Sequence, residues 1–161
     1  MRRPRVTIAV TAALLWLSGC TDGDGGEDEE PVPAESGEVE GKPNVELAED
    51  ASPPDDLQVE DLEDGEGDEV EPGALVTLHF VGVRWSDGQE FASSWDRGQP
   101  VSYTHGDGRW VEGWERGLEG MREGGRRQIV VPPELGYGER GAPNVPSGET
   151  LVFVIDLLDV A

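Results

Sequence analysis

Residues Gly136, Gly138 and Gly141 spell G-x-G-x-x-G, the spacing with which a strand-to-helix turn cradles a pyrophosphate at a helix N-terminus. Pro143 and Pro146 follow directly and forbid such a helix, and the twenty residues left hold only one strand. The acidic ribose ligand and the parallel partner strand of a dinucleotide site are also missing, so these glycines serve turns. His79 and His105 have no second ligand at metal spacing. Ser93-Ser94 has no histidine placed for a triad and lies in no nucleophile elbow. The acidic run DGDGGEDEE lacks the alternating ligands and closing glutamate of a calcium loop. Neither a metal nor a cofactor is expected.

The remaining chemistry is that of an apolar surface. In Glu134 to Phe153 each proline fixes its own φ and restricts the residue before it, which stiffens the loop. Tyr137 and Val145 are large groups inside this stiffened loop, where a solvent loop would carry polar ones. The reading is a shaped rim over a pocket.

The elements that must hold the rim follow from periodicity. Leu57 to Leu62 is a short alternating strand, and Gly65 to Gly73 is turn-rich. Ala74 to Val83 is a strand with Val76, Leu78 and Phe80 on one face and Leu75, Thr77 and His79 on the other. Asp87-Gly88 gives a hairpin signal before a strand through Phe91. Val111, Trp114, Leu118 and Met121 fall on one face of a helix. Gly113, Gly117 and Gly120 each weaken that helix by about 1 kcal/mol against alanine, so it must be short and held by packing. Arg126 to Val131 alternates with Ile129 and Val131 inward, and Leu151 to Leu158 closes the chain as an apolar strand. The class is α+β: a curved antiparallel sheet with one helix against a face.

Upstream, three arginines (Arg2, Arg3, Arg5) precede twelve mostly apolar residues, Val6 to Leu17, which reads as an export signal too short to span a bilayer. Leu17-Ser18-Gly19-Cys20 resembles the lipobox of bacterial lipoproteins, and Cys20 is the only cysteine, so no intramolecular disulfide can form. Lipidation at Cys20 would anchor the chain in a bacterial cell envelope. Thr21 after the cysteine, rather than Asp, favours the periplasmic side of an outer membrane in a diderm cell. Thr21 to Asp55 holds thirteen acids against one base, Lys42, with five prolines and no aromatic residue. Such a stretch buries too little apolar surface to offset its ordering entropy and is expected to be a disordered tether. The organisation is therefore a signal peptide over 1–19, an acidic tether over 20–55 and one folded domain over 56–161. A net charge of −23 across 161 residues excludes nucleic acid as a partner, because binding phosphate needs a basic face.

The ordered series LHFVG, DGQEFASS, VEGWERGLEGM, GYGERG and TLVFVIDLL resembles the FKBP-type peptidyl-prolyl cis-trans isomerases and spans essentially all of 56–161. The resemblance implies a half-barrel of five or six antiparallel strands wrapped on one short helix. It implies catalysis of X-Pro bond rotation, with proline-containing polypeptides as substrates, macrolides as inhibitors and a monomeric state. It places Phe80, Phe91, Trp114, Tyr137 and Phe153 as the catalytic wall, and Val101, Trp110, Val111 and Val145 as substrate-binding residues. Trp114 would floor the pocket, the Val111 N–H would hold a ligand carbonyl, and the Tyr137 hydroxyl would donate a hydrogen bond. The family usually has Tyr in place of Phe80, Asp in place of Ala92 and Phe in place of Val101. Ala142 also replaces a bulkier residue, and the loop is one residue shorter near Asn144. The first two departures remove a polar pair beside the substrate carbonyl, so the resemblance leaves open a non-catalytic module that grips proline segments with reduced turnover.

Overall fold

A computed structural model of the chain describes residues 41–45, 47 and 52–161. Cys20 and the export signal lie outside the described residues. Six strands form one antiparallel sheet: β1 Gln58–Glu63, β2 Leu75–Arg84, β3 Glu90–Ser93, β4 Val101–Thr104, β5 Arg126–Val131 and β6 Leu151–Val160. The order is β1-β5-β6-β2-β3, and β4 pairs with the first half of β2, Leu75 opposite Thr104 through Leu78 opposite Val101. Among the described residues one α-helix, α1, spans Glu112–Leu118. This is the α+β class expected from the periodicity, with β4 as a strand that the sequence reading did not mark.

The alternation in β2, β5 and β6 sorts their side chains to two faces. On the helix face Val76, Leu78, Phe80, Ile129, Val131, Phe153, Ile155 and Leu157 pack with Trp114, Leu118 and Met121 into the main core. The helix lies very close to β5: a Cβ at Gly113 would stand 2.3 Å from Val131 Cγ1, and one at Gly117 would stand 2.8 Å from Ile129 Cγ2. The two glycines that weaken the helix in isolation are what let its backbone approach the sheet. Its C-terminal carbonyls are met by Arg127, whose Nη1 donates to Gly117 O at 3.0 Å and Glu119 O at 3.1 Å, while Asp61 on β1 accepts from Arg127 Nε at 2.6 Å. One guanidinium thus ties β1, β5 and α1 and satisfies the carbonyls a helix end leaves open.

The opposite face carries a second apolar cluster of Val81, Val83, Val130 and Val152. The described residues of the segment read as a tether meet this face. Val45 and Leu47 pack against this cluster, and Lys42 reaches Glu90 at 2.8 Å and Asp96 at 2.7 Å. The segment contains few apolar residues, but these two meet a valine patch that the domain leaves open, and the single base of the tether meets two acids beside it.

Candidate functional site

The strands and helix bring six aromatic rings into one cluster at one end of the helix face. Phe80 on β2 meets Trp114 of α1 edge-on at 5.2 Å and Trp110 at 5.7 Å. Phe153 on β6 meets Trp114 edge-on at 5.1 Å and Phe91 of β3 at 5.6 Å. Phe91 and Phe153 approach each other across Gly82, where a Cβ would stand 2.9 Å from both rings. Trp110 stacks on Trp114 with centroids 4.6 Å apart and planes 14° from parallel. Edge-to-face and offset-stacked rings are the arrangements that the aromatic quadrupole favours.

The polar tips in this cluster are paired where they are buried. Trp114 Nε1 donates to the Tyr103 hydroxyl at 2.8 Å. Burial pushes the Tyr103 phenol well above its ordinary range, so it stays neutral. Phe80 carries no side-chain polar atom, and Arg97 Cζ lies 5.9 Å from its ring centroid, within reach of a cation-π attraction.

Beside the cluster opens a cleft of about 380 Å³, lined by Val101, Ser102, Tyr103, Arg109, Trp110, Val111 and Tyr137. That size falls within the range of small-molecule and peptide-fragment sites. Val111 is the N-cap residue of α1 in extended conformation, and its backbone N–H has no acceptor among the described residues. Tyr137 is 38% exposed at the mouth. The lining contains no carboxylate, histidine or cysteine.

The loop that carries Tyr137 is built of tight turns. Short 3-10 turns occupy Pro133–Leu135 and Gly138–Arg140, and Gly148 N–H donates to Gly138 O at 2.9 Å. Ala142 and Val145 exchange two backbone hydrogen bonds of 2.9 Å around Pro143-Asn144. Pro143 with Asn144 at φ 65° has the signature of a type II turn, in which proline presets the first corner and asparagine tolerates the left-handed second. Arg84 Nη1 donates to Asn144 O at 2.9 Å and its Nη2 to Asp87 at 2.7 Å, tying this turn to the β2–β3 hairpin. The loop is therefore braced.

The residues singled out in the sequence fall into two groups. Val101, Trp110, Val111 and Tyr137 line the open cleft. Phe80, Trp114, Phe153 and Val145 are buried in the core, with Phe91 partly buried against it. Trp114, read as the floor, is wholly buried and lies under Trp110 rather than facing the cleft. Tyr103 was missed, although its spacing of two from Val101 in VSYT would place both on one face of a strand. Ser94 is buried and structural: it accepts from Phe80 N–H at 2.8 Å and meets His79 Nδ1 at 2.9 Å. His79 stacks on Trp95 at 4.2 Å, and burial pulls its imidazole below the usual range. His105 faces Glu115 at 2.8 Å.

Comparison with known proteins converges on one family. The family model described as FKBP-type peptidyl-prolyl cis-trans isomerase matches residues 67–158. An FK506-binding protein of Streptomyces anulatus is 43% identical over 121 residues, covering 74% of this chain and 97% of its own length. A probable FK506-binding protein of Corynebacterium glutamicum is 46% identical over 117 residues, covering 73% of this chain and 97% of its own. Among solved structures, that of AtFKBP13 superposes with a TM-score of 0.61 at 34% identity, covering 65% of this chain and 93% of the other. FkpA from Escherichia coli superposes with a TM-score of 0.60 at 39% identity, covering 65% of this chain and 47% of the other.

Proposed function

The chain belongs to the FKBP-type peptidyl-prolyl cis-trans isomerases, and for this member we propose catalysis of X-Pro rotation in envelope proteins from a lipid anchor at Cys20. The catalytic argument needs no acid or base. Rotation about a peptide bond crosses a barrier of ~18–20 kcal/mol, because the planar amide must lose its resonance. In the twisted state the carbonyl oxygen carries less charge than in the planar one. A dry, aromatic environment solvates the planar amide poorly and costs the twisted amide less, so the barrier falls.

The observation that carries this reading is the lining of the cleft. It joins apolar Val101, Trp110 and Val111 to donors that include the open Val111 N–H and the Tyr137 hydroxyl, and it holds no carboxylate, histidine or cysteine that could act as base or thiolate. The donors hold the peptide on either side of the prolyl bond, and the aromatic wall receives the ring. A protease-free assay of prolyl peptide isomerisation tests it directly: the protein accelerates relaxation, and FK506 suppresses the acceleration. Binding of a proline peptide with no acceleration would instead favour a gripping module.

The anchor rests on the lipobox-like Leu17 to Cys20 and on the acidic segment that follows. Metabolic labelling with a lipid precursor should mark the wild type and leave Cys20→Ser unmarked, because only the thiol can form the thioether. Equal labelling and membrane partition of both would exclude it.

A further inference from the structure

We propose that Trp110 is a gate that occupies the ring-binding face of Trp114 and must swing aside before a prolyl ring can reach it. This inference rests on the prolyl-isomerase reading of the cleft. Trp114 is fully buried, with Phe80 and Phe153 packed against it in T-shaped contacts, Tyr103 on its nitrogen and the Trp110 indole stacked on its face at 4.6 Å. The open cleft is bounded by Trp110 and does not touch Trp114. With Trp114 as the pocket floor, the face that a prolyl ring would use is the one the Trp110 indole now covers.

Of the two indoles, Trp110 is the one able to move. Trp114 lies inside α1 and its nitrogen is hydrogen-bonded to Tyr103. Trp110 precedes the N-cap Val111, is only partly buried, and its indole nitrogen makes no hydrogen bond among the described residues. Gly106 and Gly108, at φ 85° and 77°, end the turn that leads into it. Stacking and apolar contact alone hold it closed. A ligand that needs the open arrangement is bound with an apparent affinity reduced by the fraction of molecules that are open. Trp110 therefore sets specificity, admitting prolyl segments whose own contacts replace the lost stack.

The test uses the full chain, with Trp110→Val and Trp110→Phe beside the wild type, in prolyl peptide isomerisation and FK506 titration. Trp110→Val should tighten FK506 binding and raise kcat/KM by roughly 2- to 12-fold, the ratio to which an aromatic stack of ordinary strength converts, and Trp110→Phe should fall between. A folded Trp110→Val with lower kcat/KM overturns the proposal and makes Trp110 the platform for the ring. Unchanged values also overturn it and leave Trp110 a packing residue at the helix start. Should Trp110→Val not fold, 5-fluorotryptophan labelling of the wild type decides, with the resonance assigned by its loss in Trp110→Phe. The Trp110 signal should move toward a solvent-exposed shift at saturating FK506, and an unmoved signal overturns the gate. A wild type that neither turns over prolyl peptides nor binds FK506 fails the isomerase reading itself, a result distinct from any of these.

Discussion

Trp114 donates its indole N–H to the hydroxyl of Tyr103 across 2.8 Å, deep beneath the cleft, and this bond fixes the ring on which the aromatic cluster is built. The indole nitrogen can only donate, so the phenol oxygen is the acceptor and its own proton remains available. Tyr103 comes from β4 and Trp114 from α1, so the bond also joins the short fourth strand to the helix.

Tyr103→Phe keeps the shape of the core and leaves the Trp114 N–H buried without an acceptor. Leaving a buried donor unmet costs about 1–3 kcal/mol. Urea denaturation should show a loss in that range with an unchanged m-value. A loss below a few tenths would mean that water reaches the indole nitrogen, and the site would then be wetter than the cluster implies.

The tether segment makes a second prediction. Val45 and Leu47 cover part of the valine patch on the sheet face away from the helix. Placing aspartate at both should detach them and lower stability by about 1–2 kcal/mol, the apolar transfer lost from two partly buried side chains. For a domain near 100 residues this is a fall in Tm of roughly 4–10 °C. Lys42→Ala should matter far less, since its ion pairs are open to solvent and screened. An unchanged Tm in the double variant would show that the contact contributes no stability.

Much of this fold was legible because it depends on period. The alternating strand at Ala74 to Val83 and the apolar strand at Leu151 to Leu158 appear within a residue or two of where they were read; the helix holds Trp114 and Leu118 but is shorter than the spacing implied, with Val111 as its N-cap and Met121 beyond its end. β4 escaped because four residues between Pro100 and His105 offer too short a window. Docking of Val45 and Leu47 escaped because two apolar residues among many acids carry no pattern, and their partner surface exists only after the sheet has formed. The stack of Trp110 on Trp114 was hidden for a related reason. A spacing of four marks both as neighbours, but which ring lies outermost is decided by the path of the Thr104 to Trp110 loop.

Asp156 supplies a pH signature. It is fully buried on β6 and paired with Arg126 Nε through one oxygen, while its Oδ2 has no partner. Burial outweighs the guanidinium and raises its carboxyl above the usual range. The folded state therefore binds this proton more tightly than the unfolded chain does, and stability falls as pH rises from the ordinary carboxylate range through the raised value. Asp87, Asp96 and Asp107 are shifted the other way, so their contribution is present above the ordinary range and lost as pH falls. The difference in urea midpoint between the wild type and Asp156→Asn isolates the first effect: the wild type should lose ground from about pH 4 until the raised value is passed, and level off above it. A difference that is flat with pH would mean that the Arg126 pairing cancels the burial.

The last prediction concerns the polar pair that the family usually carries and this chain lacks. Phe80 and Ala92 lie on adjacent antiparallel strands and both face the core cluster. Gly82 stands opposite Ala92, so residue 80 is the diagonal neighbour of residue 92, a separation of about 7–8 Å that a long side chain can close. Phe80→Tyr with Ala92→Asp would place a hydroxyl within reach of a carboxylate at the aromatic wall. Arg97, already poised over the Phe80 ring, would supply the countercharge. If such a pair positions the substrate carbonyl, the double variant should raise kcat/KM over the wild type, with coupling of roughly 0.5–3 kcal/mol between the two changes. Ala92→Asp alone should lose activity and stability relative to the double, because a carboxylate against the aromatic wall without its hydroxyl partner carries a desolvation cost. The full cycle of wild type, two single variants and the double, measured in the protease-free assay and by denaturation, separates the terms. Additive effects with no gain in kcat/KM would show that the apolar wall suffices for turnover and that the missing pair is no handicap to this enzyme.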